Sequence, residues 1–260
     1  MSCFDPGFDI RATHDPLGFV YGADTFGPVP ELRPLNAIRP SLREPNCDGP
    51  DPVYAIAMDV GKISDQPEFR RRNMLYGAVT YAAGRLGAEP VRSQGHVHRV
   101  SLHSGWSPPE VYEIWSGEAF IYMQEFAADD PGRCFAIHAG PGEIVIVPPG
   151  WAHASISANV NSHVTFGALC DREYGFEYGE VRKRRGLAWY ALVNGSQQIR
   201  WERNPHYDSP ELEERSPSDY SRFGFSGKQP LYSQVAADFG RFQWISKPAL
   251  AGDLWPTFSP

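Results

Sequence analysis

Gly95-His96-Val97-His98, followed by Pro109-Glu110-Val111-Tyr112 and then by Pro148-Pro149-Gly150-Trp151-Ala152-His153, is the stretch on which the reading of this chain turns. His96 and His98 stand two apart, and in a strand side chains two apart share a face, so both imidazoles can enter one cavity. Glu110 comes twelve residues after His98, with Gly117 seven further on. Gly142, the run Ile144-Val145-Ile146-Val147 and His153 complete the pattern. Neutral nitrogen donors plus one anionic oxygen are what a divalent metal needs, with coordination positions left for substrate or water. A solitary His-x-His would be explained as well by two surface or core histidines. The whole set, His96, His98, Glu110 and His153, reads as a metal site.

Around this stretch, short β-type runs recur at 75–81, 91–98, 111–115, 119–124, 135–138, 143–147, 154–157 and 164–169. Turns such as Asp129-Asp130-Pro131-Gly132 and Gly140-Pro141-Gly142 separate them. Many short strands with regular turn signals indicate an all-β barrel or sandwich. A first strand is expected at 53–60 and a polar, basic loop at 65–72. Residues 187–193, Asn194-Gly195 and 196–201 read as a two-residue hairpin.

Residues 1–50 carry Pro6, Pro16, Pro28, Pro30, Pro34, Pro40, Pro45 and Pro50 without sustained periodicity, and read as an extended arm. Residues 51–207 hold the barrel. Residues 208–260 form a C-terminal extension in which 210–214 and 234–239 could each begin a short helix. The aromatic residues there, from Tyr220 to Trp255, imply packing on the barrel or on a second subunit.

Hydrophobic residues make up 42% of the 260, enough for a substantial core. Lys+Arg 24 against Asp+Glu 31 gives a net charge of -7, which argues against nucleic acid or an anionic membrane as partner. Four widely spaced cysteines, with no Cys-x2-Cys pair, suggest reduced thiols. No run approaches the roughly 20 apolar residues of a membrane span. A soluble, cytoplasmic protein is expected.

The residues quoted above resemble the two cupin motifs. The second matches over 142–153, with Ser157 where an asparagine is usual; the first has Pro90 in place of its leading glycine and a long segment at 99–109. From about 51 to 207 the chain resembles more specifically the cupin-type glucose-6-phosphate isomerases, with added support from Glu177-Tyr178-Gly179 and Asn204-Pro205. The resemblance implies an all-β cupin jellyroll barrel, a homodimer, and one divalent ion per chain: iron(II), with manganese, nickel and zinc as alternatives. It also implies a sugar or sugar-phosphate ligand and interconversion of glucose 6-phosphate and fructose 6-phosphate through an enediol(ate). By position, His96, His98, Glu110 and His153 become the metal ligands, and Glu110 and Tyr112 the catalytic groups. Tyr54, Ser93, Gly95, Tyr112 and Tyr178 become substrate contacts.

Three positions depart from that family near the phosphate: Val79 replaces a threonine, Cys170 a tyrosine and Phe176 a histidine. A phosphate dianion needs several charge-assisted donors. Arg92 and Arg182-Lys183-Arg184-Arg185 are available substitutes, with Thr80 one step from Val79. His103, His138 and His163 are further candidates for proton transfer. Two other readings stay open. One is a metal-dependent cupin of other chemistry, an oxygenase or epimerase acting on an unphosphorylated substrate. The other is a non-enzymatic sugar-binding cupin, against which the complete ligand set weighs.

Overall fold

All eight residues of the strand Met74–Tyr81 are buried, so this strand is covered on both faces. Its side chains divide by parity. Met74, Tyr76 and Ala78 join one apolar cluster, while Val79 and Tyr81 join another. That alternation is the period-2 geometry of a pleated strand with a core on each side. The computed structural model describes residues 4–195, 197–208, 211–227 and 229–260.

Two sheets form an all-β jellyroll. One has six strands in the order Ile144–Val147, Glu110–Ser116, Val164–Asp171, Met74–Tyr81, Tyr54–Met58 and Glu31–Arg33. The other has four, in the order Ala152–Ser157, Ala119–Gln124, Cys134–Ala139 and Leu212–Arg215. All pairings within them are antiparallel except that of Leu212–Arg215 with Cys134–Ala139. Between the sheets lie Ile121, Met123, Phe135, Ile137, Val147 and Phe166. No helix among the described residues is long and apolar enough to cross a membrane.

The terminal regions form outer layers. Phe8, Ile10 and Phe19 pack with Tyr220, Leu231, Tyr232, Phe242 and Trp244 against the outer face of the six-stranded sheet. Residues 4–50 are therefore more structured than an extended arm. Ile10–His14 and Leu17–Tyr21 pair as a hairpin, and Glu31–Arg33 forms an edge strand opposite Tyr54–Met58. Prolines between these pieces hide them from a periodicity reading.

Other local expectations change as well. The segment at 65–72 contains a helix, Gln66–Arg71, which buries Phe69 and pairs Glu68 with Arg71 and Arg72; these i,i+3 and i,i+4 pairs support a helix. The expected helix at 210–214 is instead the strand Leu212–Arg215, whose backbone pairs along a sheet edge; Pro210 lies outside the described residues. The second expected helix occurs as Leu231–Ala237. The hairpin has a longer connection than two residues, because Val193 pairs with Ile199. The Asn194 side chain closes that connection by accepting the Gln198 N–H at 2.9 Å, and Ser196 within it lies outside the described residues. Only Val97–His98 of the run at 91–98 forms a strand, paired with Phe176–Glu177. Isolated bridges join Arg92 to Ile156 and His96 to His153.

The strand Glu110–Ser116 carries a carboxylate on each face. Tyr112 and Ile114 point between the sheets, whereas Val111 and Trp115 point to the outer layer. Glu113 is fully buried on that outer side. It accepts the Leu231 N–H at 2.6 Å, the Trp115 Nε1–H at 3.1 Å and the Tyr76 hydroxyl at 3.4 Å. Burial pushes its carboxyl up to about 7, with these three donors opposing the rise.

A raised value means the folded state holds the proton more tightly than the unfolded chain. The stability from this group is complete below the ordinary carboxylate range and is lost as pH rises through about 7. Glu113→Gln should therefore gain stability relative to the parent between about pH 5 and about pH 8, by up to about 3 kcal/mol. Urea unfolding of both proteins at the two pH values measures the difference. A gap that does not change with pH would show that Glu113 does not titrate in this window.

Candidate metal centre

Two reciprocal backbone hydrogen bonds set the position of the first histidine. The His96 N–H donates to the His153 carbonyl at 3.0 Å, and the His153 N–H to the His96 carbonyl at 2.9 Å. This bridge brings the two rings to 4.3 Å. His98 follows on the short strand Val97–His98, with its ring 5.1 Å from His96 and 5.0 Å from His153. Glu110 opens the strand that lies across from them. One ligand atom from each of His96, His98, Glu110 and His153 lies within 4.8 Å of all the others, and all four residues are buried. The four residues picked out from the sequence thus converge on one point.

The orientation of the rings is fixed from behind. His98 Nδ1 lies 2.9 Å from the Pro108 carbonyl and His153 Nδ1 lies 3.0 Å from the Trp151 carbonyl. A carbonyl only accepts, so each Nδ1 carries a proton and donates, and each Nε2 turns a lone pair inward. The long segment at 99–109 thereby acquires a role, since its end delivers the Pro108 carbonyl. The inward nitrogens face the Glu110 carboxylate, with Oε2 at 3.0 Å from His153 Nε2 and 3.4 Å from His98 Nε2. His96 Nε2 and His98 Nε2 are buried without a hydrogen-bond partner. Acceptors facing one another in a dry site are costly unless a cation or proton lies among them. The donor set fits a first-row divalent ion.

The electrostatics of the centre follow from burial and from the closeness of the four groups. Burial, reinforced by His153 and His98, holds His96 well below the ordinary imidazole range, which favours the neutral form that ligates. For His98 burial also disfavours the charge, yet the neighbouring carboxylate outweighs it and raises the ring. Burial works to raise Glu110, and the rings of His153 and His98 beside its carboxylate overcome it, leaving the carboxyl well below its usual range. The Tyr112 hydroxyl donates to Glu110 Oε2 at 2.6 Å. Burial and the Glu110 charge push that phenol well above its ordinary value, so it keeps its proton.

A cavity opens onto the centre. His96 and Glu110 line it, together with Tyr54, Ser93, Tyr112 and Tyr178. Gly95 lies outside the lining. With φ +84°, it makes the turn before His96, and a Cβ there would meet Leu187 Cδ1 at 3.0 Å. Val79 and Phe176 do form part of the wall, and the Phe176 ring is 4.4 Å from that of His96. Cys170 is buried behind the lining, near Glu110 and Tyr112, and Thr80 is bonded to Thr165 at 3.0 Å.

Most of the basic substitutes suggested by the sequence are already engaged. Arg92 donates to Glu89, Ser93 and Ser41. Arg184 is paired with Asp129 and Glu180. His103, His138 and His163 stand outside the lining; His138 meets Glu118 at 3.0 Å, and His163 stacks on His14 at 3.9 Å. Four polar lining residues were missed by sequence reasoning: Arg33, Gln94, and Tyr81 and Ser155, whose hydroxyls bond each other. Arg33 falls in a proline-rich region with no motif to mark it. Gln94 adjoins the histidine motif and carried no signal of its own.

Comparison with known proteins places the chain. A family model described as glucose-6-phosphate isomerase (GPI) matches residues 31–209. A glucose-6-phosphate isomerase of Thermococcus gammatolerans is 25% identical over 145 residues, covering 56% of this chain and 66% of that protein. One from Thermococcus litoralis is 27% identical over 132 residues, covering 51% and 60%. The chain thus spans less than two thirds of the length of these relatives. Among solved structures, a mutant of Bacillus subtilis oxalate decarboxylase matches with TM-score 0.36 and 13% identity, over 58% of this chain and 30% of that one. An oxalate oxidase matches with TM-score 0.36 and 14% identity, over 48% and 54%. The chain belongs to the glucose-6-phosphate isomerase family.

Proposed function

We propose that the protein is a metal-dependent aldose–ketose isomerase interconverting glucose 6-phosphate and fructose 6-phosphate. The observation that carries this reading is a single cavity lined by His96 and Glu110 of the donor set and by Tyr54, Tyr112 and Tyr178. Family membership over residues 31–209 supports it. Iron(II) as the ion and a homodimer as the assembly belong to the same reading.

His96, His98, Glu110 and His153 would hold the ion. When bound, a divalent cation supplies Lewis acidity towards the oxygens on carbons 1 and 2 of the open-chain sugar. Glu110, ionised and facing the cavity, takes the proton from carbon 2 of the aldose. The electron pair forms the carbon 1–carbon 2 double bond, and the carbonyl pair moves onto oxygen 1. The proton on oxygen 2 passes to oxygen 1, and Glu110 returns its own proton to carbon 1, giving the ketose. Tyr112 holds Glu110 Oε2 in place through its hydroxyl. Val79, Phe166 and Ala168 keep the wall beside the reacting carbons apolar.

Metal binding is tested by thermal unfolding with manganese(II) or iron(II). The ion should raise the Tm of the parent protein by linkage to the folded state. His96→Ala should lose most of that rise, because removing a ligand costs more than the 10- to 100-fold typical of an outer partner. An equal rise in both proteins would place the ion elsewhere.

Activity is tested by a coupled assay with fructose 6-phosphate after anaerobic reconstitution, beside a chelated control. Turnover should depend on the ion. Tyr112→Phe, which removes one charge-assisted hydrogen bond, should lower kcat about tenfold with metal content unchanged. No turnover in the loaded parent protein would overturn the isomerase reading, and an unaltered kcat would remove Tyr112 from the mechanism.

A further inference from the structure

We propose that Arg33 and Gln94 form the subsite that holds the phosphate monoester of the substrate, with Arg182 as the residue that positions Gln94. The inference rests on the cavity being a sugar-phosphate site.

Both residues line that cavity. Arg33 Nε and Gln94 Nε2 are buried donors with no hydrogen-bond partner, and such groups are rare without a reason. Gln94 is only 1% exposed. The direction of its amide follows from its neighbour. Arg182 Nε approaches Gln94 at 2.9 Å, and a guanidinium only donates, so the atom facing it is the oxygen Oε1. The amide nitrogen makes no hydrogen bond on this cavity-lining side chain and stands beside the Tyr178 phenol.

Arg33 stands on the edge strand Glu31–Arg33, opposite Tyr54. Its Cζ lies 5.9 Å over the Tyr54 ring, and Arg182 Cζ lies 4.8 Å over the Tyr178 ring. Each guanidinium is thus stacked on a tyrosine of the cavity wall, which limits the freedom it loses on binding. Among the described residues, the one carboxylate that Arg33 meets is Glu31, at 2.8 Å through Nη2; that side chain is 66% exposed. An exposed pair of this kind is weak, and it leaves Nε unused. A phosphate dianion offers oxygens for the guanidinium fork and for the amide together. The same anion would find only apolar surface at Val79 and Phe176.

The test is calorimetric titration of the metal-loaded protein with sorbitol 6-phosphate and with sorbitol. Neither polyol can isomerise, so binding is read apart from turnover. The parent protein should prefer the phosphorylated ligand by tenfold or more. Arg33→Gln should reduce that preference roughly tenfold to hundredfold. Arg33→Lys should retain part of it, since the charge stays while the fork is lost, and Gln94→Leu should reduce it by a smaller factor. No preference in the parent protein, or an undiminished one in Arg33→Gln, would overturn the subsite. Turnover with glucose 6-phosphate, measured in parallel, separates the two readings. A preference without turnover leaves the subsite standing and defeats the isomerase. Turnover with unaltered KM in Arg33→Gln does the reverse.

Discussion

Electron-pair donors aimed at one point inside a protein repel one another, and this fold is arranged so that they cannot turn away. His96 and His153 are locked backbone to backbone across two segments. The Pro108 and Trp151 carbonyls hold the outer nitrogens of His98 and His153. Glu110 is held by Tyr112 from the same strand. Each restraint costs conformational freedom and is retained only because the packing around it is over-determined. The jellyroll supplies that packing, with one sheet presenting Glu110 and Tyr112 and the other presenting His153.

Every added segment of the chain serves that arrangement. The hairpin at 10–21 and the aromatic C-terminal region cover the outer face of the six-stranded sheet. Without such cover, Met74, Tyr76 and Val111 would leave an apolar face in water. The helix Gly179–Lys183 and the hairpin strands Trp189–Val193 and Ile199–Arg203 cover the other sheet in the same way, through Val181 and Ala191. The edge strand Glu31–Arg33 does more than cover. It supplies a cation to a cavity otherwise walled largely by aromatic and aliphatic groups.

The ligand set was legible because its residue types are rare in that spacing, and each has a chemical reason to be there. The strand Ala119–Gln124 was legible to the residue, since its apolar run follows Ser116-Gly117-Glu118 and ends on the polar pair Gln124-Glu125. The strand Leu212–Arg215 was not, because its Leu-Glu-Glu-Arg sequence has helical propensity and its pairing partner lies far back in the chain. Arg33 was invisible for a related reason. Its place beside Tyr54 comes from a three-residue pairing between distant segments, and no local pattern encodes such a meeting. Arg92 failed in the opposite direction: its position by the motif suggested a ligand contact, whereas its nitrogens are committed to Glu89, Ser93 and Ser41.

The strand Glu110–Ser116 has one carboxylate facing the donor cluster and another, three residues on, facing the Leu231 amide. Three is an odd number, so the two necessarily lie on opposite faces of a pleated strand. A slip of one residue would exchange the faces, bringing Tyr112 outward and Glu113 inward. The register shift between Ile114 and Ser116 absorbs one irregularity after both carboxylates have been placed. This strand can therefore change its composition but not its length, and insertions in the chain are confined to the loops that flank it.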